Sequence, residues 1–302
     1  MLSADAVTYL PFRGKVDMRK VKLSLLRGIC QMPAYVACEK GFMGDEALHA
    51  EIEIAATAWL VPQKLASGSC QFAVMPWTRV AAAEGEGLPL VLVAGSGFEE
   101  AAIVLRHGIA PSEVRKVSVP MRGGIKDLTA MGLIRSLGWE HAEQLRQPSG
   151  DGTIIALFGQ GADAASMVEP YATMMEGLGV GAVIRRTGDL WPGAPGCSLT
   201  TTRTLIQEEP QAVEGVVRAF ARGVAFVKEH PDESAEIASR YIGIHSRFIR
   251  AALDRNRPNI DAIRNQKAMD DILALMLQLG YIKEIPTRYR DLAFLDTVSA
   301  GL

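Results

Sequence analysis

The sequence predicts an α/β protein of two lobes, each built on a mostly parallel sheet that helices cover on both faces. In the first third of the chain, apolar segments of strand length alternate with helical segments, which is typical of such a sheet. The same alternation restarts near the middle of the chain. The length of 302 residues also exceeds the usual size of a single hydrophobic core. Together these observations favour two doubly wound lobes.

The first third contains four predicted strands and two predicted helices. Val21, Leu23 and Leu25 alternate with polar neighbours, which is the pattern of a half-buried strand. A helix opens at Pro33 and ends at Gly41, as the preferences of helix ends require. The remaining elements are strands at residues 51–55, 71–75 and 88–94 and a helix at residues 60–67.

The middle of the chain repeats this order. Strands are predicted at residues 116–119, 164–168 and 182–186, and a helix runs through residues 128–134 to Gly138. Residues 153–158 fit a strand by apolar content alone. Because Ser149 and Asp151 are residues that start helices, we predict a helix there.

The last third is predicted to be helical. Apolar residues recur at helical spacing from Val213 to Val227, between Pro210 and Pro231, and further helices follow Pro231 and His245. A fourth apolar stripe, at residues 269–279, ends at Gly280. We interpret these stripes as core packing.

Composition and charge exclude several partners. A formal net charge of −2 provides no basic field for nucleic acid or for an anionic membrane surface. No apolar run reaches the roughly 20 residues that span a bilayer, so no membrane insertion is expected. The four cysteines have no metal-like spacing and are interpreted as buried free thiols.

Motifs for catalysis, metals and cofactors are not found in the sequence. It has no Gly-x-Ser-x-Gly elbow and no P-loop, and Gly95-Ser96-Gly97 lacks the third glycine of a dinucleotide fingerprint. No two of the five histidines are three or four residues apart. We therefore expect no catalytic residue, no metal ligand and no cofactor.

Candidate ligand-binding residues follow the predicted parallel strands, where ligands of open α/β sheets bind. Arginine at these positions suits an anion, but can equally be solvated or ion-paired, and tryptophan can equally fill a core or surface groove. Helix starts next to these loops add unpaired N–H groups and a positive dipole end. The candidates are Arg27, Gln31, Thr57, Trp59, Trp77, Thr78, Arg122 and Gly123.

Several segments together resemble the nitrate/sulfonate/taurine-type substrate-binding proteins of ABC transporters. Residues 33–42 resemble the first-helix pattern A-x-E-K-G-F, and residues 68–75 resemble G-x-x-D-F-G-v, with Gln71 where Asp is usual. Residues 161–171 are similar to G-x-D-A followed by w-E-P-y, and residues 280–283 and 291–296 are similar to the family's tail. Each segment alone is weak evidence for the family. Together the segments span nearly the whole chain, and their order and spacing make the resemblance more specific.

The resemblance implies a type II periplasmic-binding-protein fold, with two α/β lobes, a hinge and a ligand cleft. We place the two segments that cross from one lobe to the other near residues 103–106 and 198–204. Lobe 1 would comprise residues 21–104 and 203–302, and lobe 2 residues 105–202, after an N-terminal extension of residues 1–20. Carried over, it favours Ser96 and Glu169 as further ligand contacts.

The predicted function is capture of a small organic ligand between the lobes, for delivery to an ABC permease or for sensing. Arg27 and Arg122 favour a sulfonate or carboxylate, whereas the tryptophans favour a flat ring. The alternative is an enzyme on the same fold, similar to the thiamine pyrimidine synthase or to a menaquinone-pathway dehydratase. The family is periplasmic, but residues 1–20 lack the apolar segment of a secretory signal. The chain as it begins would remain in the cytoplasm, so the sequence leaves the compartment open.

Overall fold

A computed structural model describes residues 18–122, 125–147 and 150–301 of the chain. Its strands form two five-stranded sheets, each covered by helices. The α/β fold class with two lobes is therefore confirmed. Among the described residues, no helix combines the length and the apolar character needed to cross a bilayer.

The first sheet has the strand order β2-β1-β3-β10-β4. β1 is parallel to both β2 and β3, whereas β10 runs antiparallel between β3 and β4. Every residue of β3 and β4 is buried, because helices cover both faces of the sheet. Its strands are β1 (Arg19–Leu25), β2 (Leu48–Ile54), β3 (Phe72–Pro76), β4 (Leu90–Gly95) and β10 (Cys197–Thr202).

The second sheet repeats this plan with the order β7-β6-β8-β5-β9. β6 is parallel to β7 and β8, and the antiparallel strand is again the fourth in the order, β5 between β8 and β9. Its strands are β5 (Ala101–Arg106), β6 (Lys116–Pro120), β7 (Glu143–Gln147), β8 (Ala164–Val168) and β9 (Gly181–Arg186).

Helices follow most of the strands and fill the last third of the chain. The segment at residues 153–158 is helical, as predicted. Short 3-10 turns lie at Ile29–Gln31, Pro111–Glu113, Thr187–Asp189 and Ala262–Arg264. The helices are α1 (Met32–Glu39), α2 (Phe42–Asp45), α3 (Val61–Ala66), α4 (Trp77–Gly85), α5 (Ile125–Ser136), α6 (Gly150–Phe158), α7 (Tyr171–Gly177), α8 (Arg203–Glu208), α9 (Pro210–Glu229), α10 (Pro231–Ile242), α11 (Ser246–Leu253), α12 (Gln266–Gln278) and α13 (Ala293–Gly301).

The chain passes between the sheets at residues 96–100 and 187–196, and the predicted crossings near residues 103–106 and 198–204 are wrong. Those two segments belong mainly to β5 and β10, the antiparallel strands. Because each of these strands has an apolar or β-branched sequence and lies inside a sheet, the expectation of a connector was mistaken. The lobe boundaries at residues 104/105 and 202/203 remain a prediction. The strand pairing favours boundaries within the two passages, at residues 96–100 and 187–196.

The two passages pair with each other as a short antiparallel ribbon. We call residues 96–100 and 193–197 the crossing ribbon. Gly97 N–H donates to the Cys197 carbonyl at 2.9 Å, and Gly196 N–H donates to the Gly97 carbonyl at 2.8 Å. Glu99 N–H completes the pairing with a 2.9 Å bond to the Ala194 carbonyl. The lobes are therefore joined by two hydrogen-bonded strands rather than by independent linkers.

Candidate functional site

The carboxyl ends of the parallel strands of both sheets point toward the crossing ribbon. β1 and β3 of the first sheet end at Leu25 and Pro76, and β6 and β8 of the second sheet end at Pro120 and Val168. The loops after β1 and β8 touch each other, because Ile29 N–H donates to the Glu169 carbonyl at 3.3 Å. The site expected at strand ends is therefore a region between the two sheets.

Arg27 is an exposed cationic residue of this region. Its side chain is exposed, and it forms no hydrogen bond or ion pair with the residues that the structure describes. Both backbone groups of the preceding Leu26 are held: its N–H donates to Gln31 Oε1 at 3.1 Å, and its carbonyl accepts the Tyr35 hydroxyl. The backbone before Arg27 is fixed while the guanidinium has no partner among those residues.

Tyr171 of the second lobe lies in the electrostatic range of Arg27. Burial raises the pKa of Tyr171 to about 12, Asp151 adds to this rise, and the positive charge of Arg27 opposes it. Burial also raises the pKa of Tyr35 well above its ordinary value, and Arg27 again opposes the shift. The charge of Arg27 in the first lobe therefore acts on a phenol of the second lobe.

A small pocket opens beside Tyr171, between α6 and the ends of β6 and β8. The hydroxyl-bearing residues Thr153, Ser166 and Tyr171 contribute to its wall, and Thr153 lies in the first turn of α6, at the positive end of the helix dipole. The rest of the wall is apolar and consists of Pro120, Ile154, Met167 and Val168. The enclosed space is about the size of one water molecule, so it suits a small polar group of a ligand whose apolar part packs against this wall.

Trp59 and Thr57 lie in the loop after β2, at a different part of the same sheet edge. Trp59 is exposed and is covered by the guanidinium of Arg79, whose Cζ lies 3.4 Å from the centre of the ring. Arg79 has no ion pair with the described residues, and burial lowers its pKa to about 10. Thr57 Oγ1 accepts the Trp59 N–H at 3.4 Å and so helps to shape the loop.

Four residues predicted to contact the ligand are fully buried in the first lobe: Gln31, Trp77, Thr78 and Ser96. Trp77 stacks on Tyr289, with ring centres 6.1 Å apart, and within the described part of the chain neither Trp77 Nε1 nor Thr78 Oγ1 has a hydrogen-bond partner. Ser96 donates its hydroxyl to the Cys30 carbonyl, and the Gln31 amide bonds to Leu26 N–H and Cys30 Sγ. Ser96 and Gln31 therefore position the loop that carries Arg27.

Glu169 is buried and held by groups of its own lobe. Its Oε1 accepts Arg186 Nη1 at 2.7 Å, and its Oε2 accepts the Thr173 N–H at 3.0 Å in the first turn of α7. A carboxylate with these two partners serves the packing of the second lobe. Its backbone carbonyl, rather than its side chain, reaches the first lobe through Ile29.

Arg122 lies where the second lobe meets the C-terminal segment. It donates to the Leu279 carbonyl at 3.0 Å and stands 5.0 Å from the centre of the Tyr281 ring. The Tyr281 hydroxyl donates to Asp127 of α5, which is also paired with Arg146. Arg122 thus takes part in a contact between lobes. Gly123 lies outside the described residues.

The structure brings the predicted residues to one edge of the two sheets but gives them different roles. Arg27 and Trp59 are exposed there, whereas Gln31, Trp77, Thr78, Ser96 and Glu169 are buried. Sequence reasoning placed Arg79 in the loop after the third strand but did not select Arg79 or Tyr171 as a ligand contact. Arg79 directly follows Thr78, and Tyr171 lies two residues after Glu169, so loop position could have indicated both, but their side-chain directions could not be read from the sequence.

Two family models match parts of the chain. Residues 30–107 match the family described as NMT1/THI5 like, and residues 150–242 match the NMT1-like family. These ranges include residues 33–42, 68–75 and 161–171, on which the resemblance was based. No curated protein is similar to the chain in sequence.

Solved structures match nearly the whole chain. A ligand-binding component of an ABC-type import system from Staphylococcus aureus, with zinc bound, is 15% identical and has a TM-score of 0.80, over 93% of this chain and 99% of that one. The nitrate-binding protein NrtA from Synechocystis PCC 6803 is also 15% identical, with a TM-score of 0.78 over 95% and 89%.

A third match is the alkanesulfonate-binding protein SsuA from Xanthomonas axonopodis pv. citri, bound to MOPS. It is 11% identical, with a TM-score of 0.75 over 91% of this chain and 99% of that one. At such identities the likeness establishes the fold. The chain therefore has the periplasmic-binding-protein fold of nitrate- and sulfonate-binding proteins, as its motifs predicted, and carries segments of the NMT1-like families.

Proposed function

We propose that this protein is a solute-binding protein that closes its two lobes over a small organic anion. The observation that carries the proposal is Arg27, an exposed guanidinium without a partner among the described residues, at the strand ends between the two sheets. Eleven of the described arginines pair with a carboxylate, whereas Arg27 lies unpaired among those residues at the strand ends. A cation kept free beside a pocket is suited to an anionic group of a ligand.

The second lobe supplies the rest of the proposed contact. Tyr171 and the first turn of α6 present a phenol and a positive dipole end near Arg27. The apolar wall formed by Ile154 and Met167 favours a carboxylate or sulfonate that carries a short apolar body over a bare inorganic ion. Since the contacts come from both lobes, the ligand would stabilise the closed arrangement.

We propose that the captured ligand is either taken up by the cell or sensed. The likeness to binding components of ABC importers supports delivery of the ligand to a permease. The proposed partners are thus a small molecule and an ABC permease. The proposal includes no catalytic step. If the protein chemically changes its ligand, the alternative of an enzyme with the same fold replaces the proposal.

The test is ligand-dependent stabilisation of the purified chain, followed by titration calorimetry. The panel contains short alkanesulfonates, short carboxylates, nitrate and pyrimidines. We expect an organic anion to bind at one equivalent per chain, because a binding protein gains stability with ligand concentration. Arg27→Gln should weaken this binding by about 10-fold to 100-fold, since a hydrogen bond to a charged group contributes about 1.5–3 kcal/mol.

Arg135→Gln is the matched control, because Arg135 is also exposed but lies at the far end of α5. It should bind as the unmodified chain does. Binding that is unaffected by Arg27→Gln, or no organic anion bound at all, would overturn the proposal. Mass spectrometry of the recovered ligand decides between capture and catalysis, because a binding protein returns it unchanged.

A further inference from the structure

Two cysteines that are distant in the sequence meet beside the crossing ribbon, together with a carboxylate. Cys30 comes from the loop after β1, Glu100 from the first passage between the sheets, and Cys197 from the start of β10, directly after the second passage. One ligand atom of each, two Sγ and one carboxylate oxygen, lie within 4.8 Å of one another. All three residues are buried, with exposed fractions of 6%, 6% and 2%.

The carboxylate of this cluster is held in place by the ribbon itself. Glu100 Oε1 accepts the Cys197 N–H at 3.1 Å. A Cβ on Gly97 would stand 1.5 Å from Glu100 Oε1, and a Cβ on Gly196 would stand 2.3 Å from its Cδ. The side chain therefore fills space that only glycine leaves open on both strands of the ribbon. A carboxylate packed this closely points in one direction.

We propose that Cys30, Glu100 and Cys197 form a binding site for a zinc ion. Two thiolates and one carboxylate are a donor set that Zn²⁺ accepts, and three protein ligands are the number found in open zinc sites. Magnesium and calcium are disfavoured, because they prefer oxygen ligands. The spacing in the sequence hides the site, since the ligands come from three separate segments.

The geometry requires only a small contraction. With Zn–S distances of about 2.3 Å, the ligand atoms of a tetrahedral site lie roughly 3.5–3.8 Å apart, so atoms within 4.8 Å of one another must approach by about 1.3 Å at most. The fourth position falls to water, because the Gln31 amide, whose Nε2 lies 3.1 Å from Cys30 Sγ, is held by its oxygen on the Leu26 N–H.

Metal binding at this cluster requires loss of the thiol protons. Burial raises the pKa of Cys30, and the charge of Glu100 raises it further, although the contact with Cys197 opposes the shift. Without a metal the thiol is therefore protonated and weakly reactive. Zn²⁺ would displace the protons of both thiols to solution, so its affinity should rise with pH.

The zinc site would connect the loop that carries Arg27 to both strands of the crossing ribbon. Cys30 lies three residues after Arg27, and the other two ligands lie on the two strands of the crossing ribbon. A bound ion would hold these three segments together at the base of the cleft. This inference does not depend on the proposed organic anion, because the metal is measured in its absence.

The experiment titrates the full chain, stripped with a chelator, with Zn²⁺ against a metal indicator, and with Co²⁺ followed by absorption. We expect one Zn²⁺ per chain and a Co²⁺ spectrum with the sulfur-to-metal charge-transfer band of thiolate ligands. Cys30→Ser, Cys197→Ser and Glu100→Gln should each weaken Zn²⁺ binding by at least about tenfold, since even an outer-shell partner contributes that much.

Cys70→Ser is the matched control, because Cys70 is buried like Cys30 but lies outside the cluster. Circular dichroism establishes that each variant is folded before its affinity is compared. The proposal is overturned if the unmodified chain binds no Zn²⁺ or shows no thiolate band with Co²⁺. It also fails if Cys70→Ser lowers the affinity as much as Cys30→Ser does.

Discussion

At the scale of single residues, Asp163 shows how one carboxylate joins neighbouring strands of the second sheet. It accepts the N–H groups of Arg115 and Lys116, both at 3.0 Å, and Arg106 Nη2 at 3.2 Å. Burial alone would raise its pKa, but these donors and the Arg106 charge lower the pKa of Asp163 below its usual value. The native state therefore favours the ionised form.

We predict that Asp163→Asn lowers the free energy of unfolding by about 1–2 kcal/mol at pH 7, because hydrogen bonds to a charged acceptor are lost. A depressed carboxyl pKa stabilises the fold above the unfolded value of about 3.9, and this stabilisation is lost as the pH falls through the folded pKa. The difference between variant and unmodified chain should then shrink in acid, as measured by urea unfolding over a pH series.

The control for this prediction is Asp271→Asn. Asp271 pairs with Lys267 at 2.7 Å on the exposed face of α12, so its loss should change the stability by less than about 0.5 kcal/mol. A deficit of Asp163→Asn that stays constant down to strongly acidic pH would contradict the assigned role of the carboxylate.

The candidate residues show what sequence reasoning can and cannot predict at this scale. Arg27 and Trp77 were both selected because they follow strands at the edge where ligands bind. The structure leaves Arg27 exposed and packs Trp77 on Tyr289, about 200 residues later in the chain. Loop position follows from local patterns, whereas the direction of a side chain depends on distant residues that pack against it.

At the scale of elements, the close contact of α9 with α1 depends on a glycine. Gly223 of α9 faces the first turn of α1, and a Cβ there would stand 2.3 Å from the Pro33 carbonyl oxygen. Gly215, two turns earlier in the same helix, would bring its Cβ to 3.3 Å from the Glu46 side chain. The first contact is a clash with rigid backbone, whereas the second, with Glu46 Cβ, is only slightly closer than an ordinary van der Waals contact.

We predict that Gly223→Ala lowers the free energy of unfolding by about 1–3 kcal/mol, because the helices must separate. Gly215→Ala should leave stability close to that of the unmodified chain, since the gain of up to about 1 kcal/mol in helix propensity offsets mild crowding. Urea unfolding of both variants measures the difference. Equal stability of the two would show that the contact is not as close as described.

The strands that sequence analysis missed have two different causes. β5 and β10 are apolar or β-branched enough to be strands, but the resemblance led us to expect connectors there. β7 is a polar edge strand with the sequence EQLRQ, which has no alternating apolar face and pairs only with β6. Strands that are fixed by pairing rather than by burial leave little trace in local sequence.

At the scale of the whole molecule, the two lobes are held by contacts of different kinds. The crossing ribbon joins them covalently and by backbone hydrogen bonds, whatever their separation. Side-chain contacts such as that of Tyr281 with Asp127 require the lobes to be close. Only contacts of the second kind can favour closure, because only they differ between the open and closed arrangements.

Tyr281 therefore offers a test of lobe closure. It lies in the C-terminal segment that runs on to Tyr289 and Arg290 beside β4 of the first sheet, and its hydroxyl reaches Asp127 of α5 on the second. We predict that Tyr281→Phe increases the radius of gyration of the ligand-free chain in small-angle X-ray scattering. Under the proposed function it should also weaken ligand binding by up to about tenfold, because one closed-state hydrogen bond to a charged group is lost.

Tyr241→Phe is the matched control, because the Tyr241 hydroxyl donates to Glu39 within the first lobe. It removes the same kind of hydrogen bond, between a phenol and a carboxylate, but connects α10 to α1 rather than one sheet to the other. Its radius of gyration should equal that of the unmodified chain, although its stability can fall. If both variants scatter alike, Tyr281 does not hold the lobes together, and closure must depend on the ligand and the loop contact of Ile29 with Glu169.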